Sequence, residues 1–316
     1  MGLIDLHCDT AWKIFHSNKE GNLLENSYHV DIKKLQRANS IAQFFALFID
    51  QEEYLKRRVT PFEHCNDMFD CFYKELIRNK EYINLARNYD ELVKNKEEGK
   101  ISAFLTIEGA EPIENKISNI NYFYRLGVRL ITLTWNYENQ IGYPNCNEKY
   151  RNKGLTSFGK EAVEEMNNLK ILVDVSHLSD GGFYDVAELA KMPFVASHSN
   201  SREVTNHPRN LTDEMIKILA NKGGIMGLNF CTPFITSTEK ITKVEHIVDH
   251  AKHIKNVGGI DVLSIGADFD GIGGSLEISN IGEMDKLALG LNKAGFSDDE
   301  IDKIFYKNAE RVIKEL

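Results

Sequence analysis

The sequence predicts an α/β fold, a (β/α)8 barrel of the TIM type with its active site at the carboxyl ends of the strands. Three observations lead to this prediction. Eight short apolar runs rich in β-forming residues recur along the chain, helical patterns separate them, and 316 residues suit such a barrel with insertions. Because strands that alternate with helices pair in parallel, the eight units are expected to close into a barrel.

The first four predicted strands are LIDLH at 3–7, IAQFFALFI at 41–49, ISAFLTIE at 101–108 and VRLITLT at 128–134. The last four are ILVDVSH at 171–177, FVASH at 194–198, GIMGLNF at 224–230 and VLSIGAD at 262–268. No linker rich in Pro, Gly or Ser interrupts the series. We therefore expect one domain over 1–316, with 50–100 and 135–157 as elaborations at the barrel rim.

Two stretches between the runs carry helix signals. Thr60 and Pro61 are the residue types preferred at a helix N-cap and first helical position. A later predicted helix has histidines at i, i+4 and i+7, which are His246, His250 and His253. This spacing lacks the HExxH pattern of a metal-binding helix, and the helices of a barrel pack outside it. A solvent-exposed helix face is the expected role of these histidines.

The motif DLHCDT lies in the first predicted strand. Since successive strand side chains point to opposite faces, Asp5, His7 and Asp9 should share one face, and Leu6 and Cys8 the other. Such a polar face either binds something or contains buried charge.

Six polar residues fall at the ends of predicted strands, where barrel enzymes place their chemistry. Taken singly, each has an ordinary interpretation as a core histidine or a helix cap. Their convergence on one barrel mouth instead predicts a site for zinc or a similar divalent metal, because imidazole nitrogens and carboxylate oxygens suit such ions. The six are His7, Asp9, Glu108, His177, His198 and Asp268.

The number of ligands favours two ions. Two metals about 3.5–4 Å apart need a bridging anion to offset their repulsion, and Glu108 is the candidate bridge. His7 and Asp9 would then hold one ion, and His177 and His198 the other.

Two further residues are assigned to the substrate. Asp268, outside the primary ligand set, could take a proton from the attacking water and give it to the leaving amine. Arg209 follows His198 by eleven residues and could bind a substrate carboxylate through its two-pronged guanidinium, or else simply pair with a neighbouring acid.

Composition excludes several classes of partner. The net charge of −9 would be repelled by nucleic acids and anionic membranes, so a small molecule is the expected partner. Five scattered cysteines without a CxxC pair are typical of reduced thiols in a cytoplasmic protein. The first apolar stretch is too short for a signal peptide, and no apolar run reaches the length of a membrane span.

The order and spacing of several motifs resemble those of the membrane dipeptidases, also called renal dipeptidases. The motifs are DLHCDT, IEGAEPI, LGVRLITLTWN, DVSHLSD, VASHSNSREVTNHPRNLTDEMI and IGADFDG. The resemblance implies an enzyme with two zinc ions that hydrolyses dipeptides, some with a C-terminal D-residue, by a zinc-activated hydroxide. Members are commonly dimers, so the resemblance also implies a homodimer.

Position by position, the resemblance implies the metal ligands already named, with Glu108 as the bridge. It also implies that Arg209 binds the terminal carboxylate of the substrate and that Asp268 transfers the proton. One position departs from the family. Where well-studied members have a histidine thought to steady the oxyanion, this chain has Trp135. An indole can donate one hydrogen bond and accept none. We expect Trp135 to contact the substrate and to reshape its side-chain pocket.

Two alternatives remain open. Another metal-dependent amidohydrolase, of the lactonase or deaminase type, is disfavoured because those enzymes usually begin with HxH and many bridge their metals through a carboxylated lysine. This chain begins with HxD, and its fourth predicted strand has no lysine. The second alternative, a metal-binding barrel protein without turnover, is motivated by Trp135 alone.

Overall fold

The structure is a computed structural model that describes residues 2–17 and 22–316. Within these ranges the chain forms eleven strands: β1 Leu3–Cys8, β2 Ser40–Phe48, β3 Ile83–Leu85, β4 Ile101–Glu108, β5 Val128–Thr132, β6 Leu172–Asp174, β7 Val195–Ala196, β8 Ile225–Leu228, β9 Ile241–Thr242, β10 Leu263–Ile265 and β11 Ser275–Leu276.

Eight of these strands form a closed parallel barrel. Around the ring the order is β1, β2, β4, β5, β6, β7, β8 and β10, and β10 pairs with β1 to close it. Each of the eight predicted runs overlaps one barrel strand, so the predicted (β/α)8 barrel is confirmed. Strand β3 pairs with the first half of β4, and β9 and β11 form a separate two-stranded sheet.

Helices connect the strands. They are α1 Thr10–His16, α2 Ile32–Arg37, α3 Gln51–Arg57, α4 Pro61–Arg78, α5 Tyr89–Glu97, α6 Ile117–Leu126, α7 Ser157–Leu169, α8 Asp180–Leu189, α9 Asp213–Asn221, α10 Thr232–Ile235, α11 Val244–Gly258, α12 Asp285–Lys293, α13 Asp298–Asp302 and α14 Asn308–Ile313. The predicted start of α4 is confirmed, since Thr60 and Glu63 form a capping box. Among the described residues, no helix combines the length and apolarity needed to cross a membrane.

An apolar cluster fills the barrel beneath its mouth. It contains residues from seven barrel strands, and the Phe44 and Phe104 rings stack at 4.7 Å within it. The strand members are Ile4, Leu6, Ile41, Ala42, Phe44, Phe104, Leu130, Leu172, Val195 and Ile225. This closed floor leaves the mouth as the open end of the barrel.

The alternation predicted for β1 does not hold. Leu6 packs in the interior cluster, whereas Cys8 packs in the larger cluster that contains Leu3. The reason is a shift in the register between β1 and β2, which falls between Asp5 and Cys8. The Asp5 carboxylate accepts from the backbone N–H of Ala267 at 2.9 Å and so supports the segment after β10.

Several strands end earlier than the sequence predicted. Strand β6 stops at Asp174 and β10 at Ile265, so His177 and Asp268 lie in the loops that follow. Both residues have left-handed backbone conformations, with φ of 67° and 63°. A strand cannot continue through such residues, and strained backbone of this kind concentrates at functional sites.

The expectation of an exposed histidine face on α11 is wrong for His250. This side chain is fully buried, where its Nδ1 accepts from the backbone N–H of Ser201 and its Nε2 donates to the carbonyl of Ile235. His246 and His253 lie near Glu239 and Asp213. The middle histidine therefore ties α11 to the loops after β7 and β8.

Two glycines allow three barrel segments to approach closely. A Cβ atom at Gly227 in β8 would lie 2.0 Å from the carbonyl oxygen of Ser197, and one at Gly266 after β10 would lie 1.8 Å from it. Neither position has room for a side chain. These glycines therefore fix how closely the segment that carries His198 sits against its neighbours.

Candidate active site

The barrel mouth brings together all six residues predicted for the metal site. Parallel strands place their carboxyl ends on one side, so residues far apart in the chain converge there. The side chains are deeply buried, and none of the six is more than 8% exposed: His7, Asp9, Glu108, His177, His198 and Asp268.

Glu108 lies at the centre of this cluster. Its Oε2 is 3.3 Å from Nε2 of His7, whose ring also approaches Oδ2 of Asp9 at 3.4 Å. Its Oε1 is 3.1 Å from Nε2 of His177 and 3.5 Å from Nε2 of His198. The two oxygens therefore face two different pairs of residues, as a carboxylate that bridges two cations must do.

The donor atoms of the cluster fit a bound metal. Both ring nitrogens of His7 and Oδ1 of Asp9 are buried without a hydrogen-bond partner among the described residues. Such atoms are costly unless something satisfies them. Ligand atoms of His7, Glu108 and His198 lie within 4.8 Å of one another, and so do those of His7, Asp9 and Asp268. Cations between these atoms would satisfy them with oxygen and nitrogen ligands suited to zinc.

Electrostatics in the cluster also favours bound cations. Burial raises the pKa of Asp9 to about 8, and the nearby charge of Glu108 acts in the same direction. Burial opposes ionisation of Glu108 as well, but His7 and the close imidazole rings of His177 and His198 hold its pKa well below the ordinary value. Burial lowers the pKa of His177 to about 4, and Arg209 contributes to this shift. The neutral imidazole that results is the form that binds metals.

Asp268 lies at the edge of the cluster. Its Oδ2 accepts a hydrogen bond from Nδ2 of Asn229 at 2.8 Å, and its Oδ1 is 3.8 Å from Nε2 of His7. Burial raises its pKa to about 6. Oδ1 is thus turned toward the ligand atoms of His7 and Asp9, within reach of a metal or a water at the same place.

A chain of hydrogen bonds orients His198. Its Nδ1 lies 2.7 Å from Oγ of Ser197, which donates to Oδ2 of Asp174 at 2.5 Å. Thr132 donates to the same oxygen at 2.6 Å. With Nδ1 donating to Ser197, Nε2 is left to bind a metal. Asp174 was not predicted as part of the site, although an acidic residue inside the apolar run ILVDVSH was a signal for it.

His177 is oriented by a residue from a different loop. Its Nδ1 lies 3.2 Å from Oδ1 of Asn136, which follows Trp135 after β5. A histidine that donates to an amide oxygen through Nδ1 presents Nε2 as a ligand. The contact between Asn136 and His177 was not predicted from the sequence.

Arg209 is buried beside the cluster. Its Nη2 donates to the carbonyl of His198 at 3.0 Å, and its guanidinium lies over the Phe234 ring at 5.2 Å. Nε has no hydrogen-bond partner among the described residues. A buried guanidinium with an unused N–H is suited to bind a carboxylate.

A cavity of about 250 Å³ opens above the cluster. Trp135 forms part of its wall, 4.8 Å from the ring of Phe48 and 6.3 Å from that of His177. The structure therefore places Trp135 at the site, and its contact with substrate stays a prediction. The cavity residues are Asp9, Trp12, Phe48, Glu108, Trp135, Asn136, His177, Cys231, Phe234, Asp268, Gly271, Ile272 and Gly273.

Comparison with known proteins gives consistent matches. The model of the membrane dipeptidase family, peptidase family M19, matches residues 1–316. An uncharacterized protein in the pqqA 5′ region of Klebsiella pneumoniae is 30% identical over 264 residues, covering 78% of this chain and 97% of that protein. Dipeptidase tcpJ of Claviceps purpurea is 28% identical over 297 residues, covering 91% of this chain and 69% of the relative.

A solved structure shares the fold over the full length. It is a metallo peptidase from Rhodobacter sphaeroides with a bound phosphinate mimic of the dipeptide L-Ala-D-Ala, and it superposes with a TM-score of 0.91 at 23% identity. The match covers 100% of this chain and 99% of the other.

Proposed function

The chain belongs to the membrane dipeptidase family and is a metallo-dipeptidase, and on that premise we propose that it works with two zinc ions and accepts some dipeptides with a C-terminal D-residue. The proposed ligands are His7, Asp9, Glu108, His177 and His198. The observation that carries the proposal is the position of Glu108, whose two oxygens face two separate groups of ligands.

The bound metal pair would supply an activated water as nucleophile and would polarise the scissile carbonyl. The chain supplies the proton transfer. Asn229 holds Oδ2 of Asp268, so Oδ1 remains to accept a proton and to return it to the nitrogen of the leaving amine. The phosphinate dipeptide mimic bound by the Rhodobacter sphaeroides protein supports a substrate of this size.

Metal analysis combined with a dipeptide assay tests the proposal. We expect close to two zinc ions per chain after metal removal and reloading, because five ligands exceed what one tetrahedral zinc uses. Hydrolysis of Ala-Ala and Gly-D-Ala should disappear on chelation and return with zinc. A stoichiometry near one would contradict the two-ion site. Two bound ions without turnover of any dipeptide would favour the metal-binding barrel protein instead.

Arg209→Met should raise KM for dipeptides by about 10- to 100-fold, since a hydrogen bond to a charged group contributes about 1.5–3 kcal/mol. We expect a smaller effect on kcat, because Arg209 would bind the terminal carboxylate and not the reacting carbonyl. The control is a dipeptide amide, which lacks that carboxylate and should lose little. Equal losses on both substrates would remove Arg209 from the substrate site.

A further inference from the structure

Three aromatic side chains form one side of the active-site cavity. Phe48 ends β2, and its ring lies 5.8 Å from that of Trp12 on α1 and 4.8 Å from that of Trp135 after β5. Both contacts are edge-to-face, an arrangement that aromatic rings prefer. All three side chains are half-buried and line the cavity. We call Trp12, Phe48 and Trp135 the aromatic wall.

The barrel order places Phe48, at the centre of the aromatic wall, opposite Arg209. In the ring of eight strands, β7 lies across from β2. Arg209 belongs to the loop after β7 and contacts His198, whereas Phe48 at the centre of the wall belongs to β2. Glu108 and its imidazole neighbours lie in the same mouth, where the scissile bond of a substrate must be held.

This arrangement orients a dipeptide. If the terminal carboxylate binds Arg209 and the scissile carbonyl lies at the metal ligands, the N-terminal side chain extends away from Arg209. We propose that the aromatic wall binds this side chain, so that the enzyme prefers dipeptides whose N-terminal residue is aromatic or large and apolar. The inference rests on the proposed function and names the substrate class of the same site.

A polar cluster behind the wall fixes Trp12. The indole N–H donates to Oε2 of Glu53 on α3 at 2.9 Å. The same oxygen lies 2.9 Å from Nε2 of His16 and 3.8 Å from Nε2 of His64, which is fully buried. Glu53 is therefore a positioning residue, because it holds the ring that would face the substrate without reaching the substrate itself.

The same three residues, His16, Glu53 and His64, bring possible metal ligands within 4.8 Å of one another. Nη1 of Arg57 lies 2.7 Å from Nδ1 of His64. A guanidinium can only donate, so Nδ1 accepts and the proton of the neutral ring is on Nε2. His64 then has no lone pair to offer on the side of Glu53. The cluster supports Trp12 and does not form a second metal site in this arrangement.

A substrate panel tests the inference on the zinc-loaded enzyme. We expect kcat/KM to rise from Gly-Ala through Ala-Ala and Leu-Ala to Phe-Ala, with Phe-Ala about 10- to 100-fold better than Ala-Ala, the usual discrimination of an apolar pocket. The reversed dipeptide Ala-Phe should not share this gain. Phe48→Leu and Trp135→Ala should each lower kcat/KM for Phe-Ala more than kcat/KM for Ala-Ala, and so remove most of the Phe-Ala advantage.

The matched control is Tyr73→Ala, which removes an exposed aromatic ring on α4, outside the cavity. It should leave the preference unchanged. Equal kcat/KM for Ala-Ala and Phe-Ala in the wild type would overturn the proposed preference and leave the proposed function standing. An intact preference in both wall variants would do the same. Absence of turnover for every dipeptide would overturn the proposed function together with it.

Substitutions of Glu53 test the support of the wall. Glu53→Leu should raise KM for Phe-Ala by about 10-fold with little change in kcat, because the indole loses its acceptor. Glu53→Gln keeps a carbonyl oxygen for the indole N–H and should restore the wild-type KM. The control is Glu52→Leu, a change at the neighbouring exposed position, where the carboxylate pairs with Lys56. An unchanged KM in Glu53→Leu would show that Glu53 does not position Trp12.

Discussion

Glu108→Gln is expected to weaken both metal sites together and to reduce dipeptide hydrolysis below detection. The amide is neutral, and only one of its two terminal atoms can accept, so it cannot offset the repulsion between two cations. Even partners that only support a ligand affect metal affinity by about 10- to 100-fold. We therefore expect more than about 100-fold weaker binding at each site. Competition with a chromophoric chelator measures the affinity for the first and for the second equivalent of zinc.

The control for this variant is Glu111→Gln. Glu111 is a buried acid three residues further along the chain, and it belongs to none of the possible ligand groups found among the described residues. The Glu111→Gln variant should bind two equivalents of zinc, like the wild type. If Glu108→Gln loses only one equivalent, Glu108 serves a single ion and another group must lie between the metals.

The fold was predictable because the signal for it is local and repeated. Each of the eight runs is apolar enough to be buried on both faces, and the barrel follows from their number and alternation. The small sheet of β9 and β11 was not predicted, since two-residue strands have no sequence pattern of their own. The shift in β1 was missed because alternation assumes a regular strand.

The candidate ligands were predictable for a similar reason. A histidine or acid directly after an apolar run stands out in a sequence, as His7 and Glu108 do. The residues that orient them do not stand out. Asp174 reaches Ser197, and Asn136 reaches His177, through contacts between segments that are distant in the chain. Such contacts depend on the relative positions of strands, which one sequence does not give.

The sequence suggested that Arg209 binds a carboxylate, but it did not show where in the fold the guanidinium lies. Its loop folds back because Ser201 pairs with Leu211 and the side chain of Asn210 donates to the backbone of Thr205 and Phe234. These contacts place the guanidinium at the carbonyl of His198. The burial of His250 was missed for the same reason. Helical periodicity does not tell which loops will cover a helix.

Asp268→Asn should leave two zinc ions bound while kcat falls by about 10²–10⁴, the usual contribution of a positioned general acid or base. The substitution keeps the fold for two reasons. Asparagine tolerates the left-handed conformation that residue 268 adopts, at φ 63°. The amide oxygen can still accept from Nδ2 of Asn229, as Oδ2 of Asp268 does at 2.8 Å. The atom turned toward His7 then becomes an NH2 group, which cannot accept the proton of the attacking water.

The measurement is kcat and KM for Ala-Ala together with zinc content on the same preparation. Asp270→Asn is the matched control, since Asp270 is also a buried acid with positive φ, at 71°, but accepts from Thr10 and His29 instead of facing the cluster. The Asp270→Asn variant should keep two bound zinc ions and most of the wild-type kcat. Asp268 lies close enough to the ligand atoms of His7 and Asp9 to bind the same metal ion. The zinc content of Asp268→Asn therefore distinguishes a metal ligand from a proton-transfer residue. Loss of zinc from Asp268→Asn would make Asp268 a metal ligand, and near-normal kcat with both ions bound would exclude it from proton transfer.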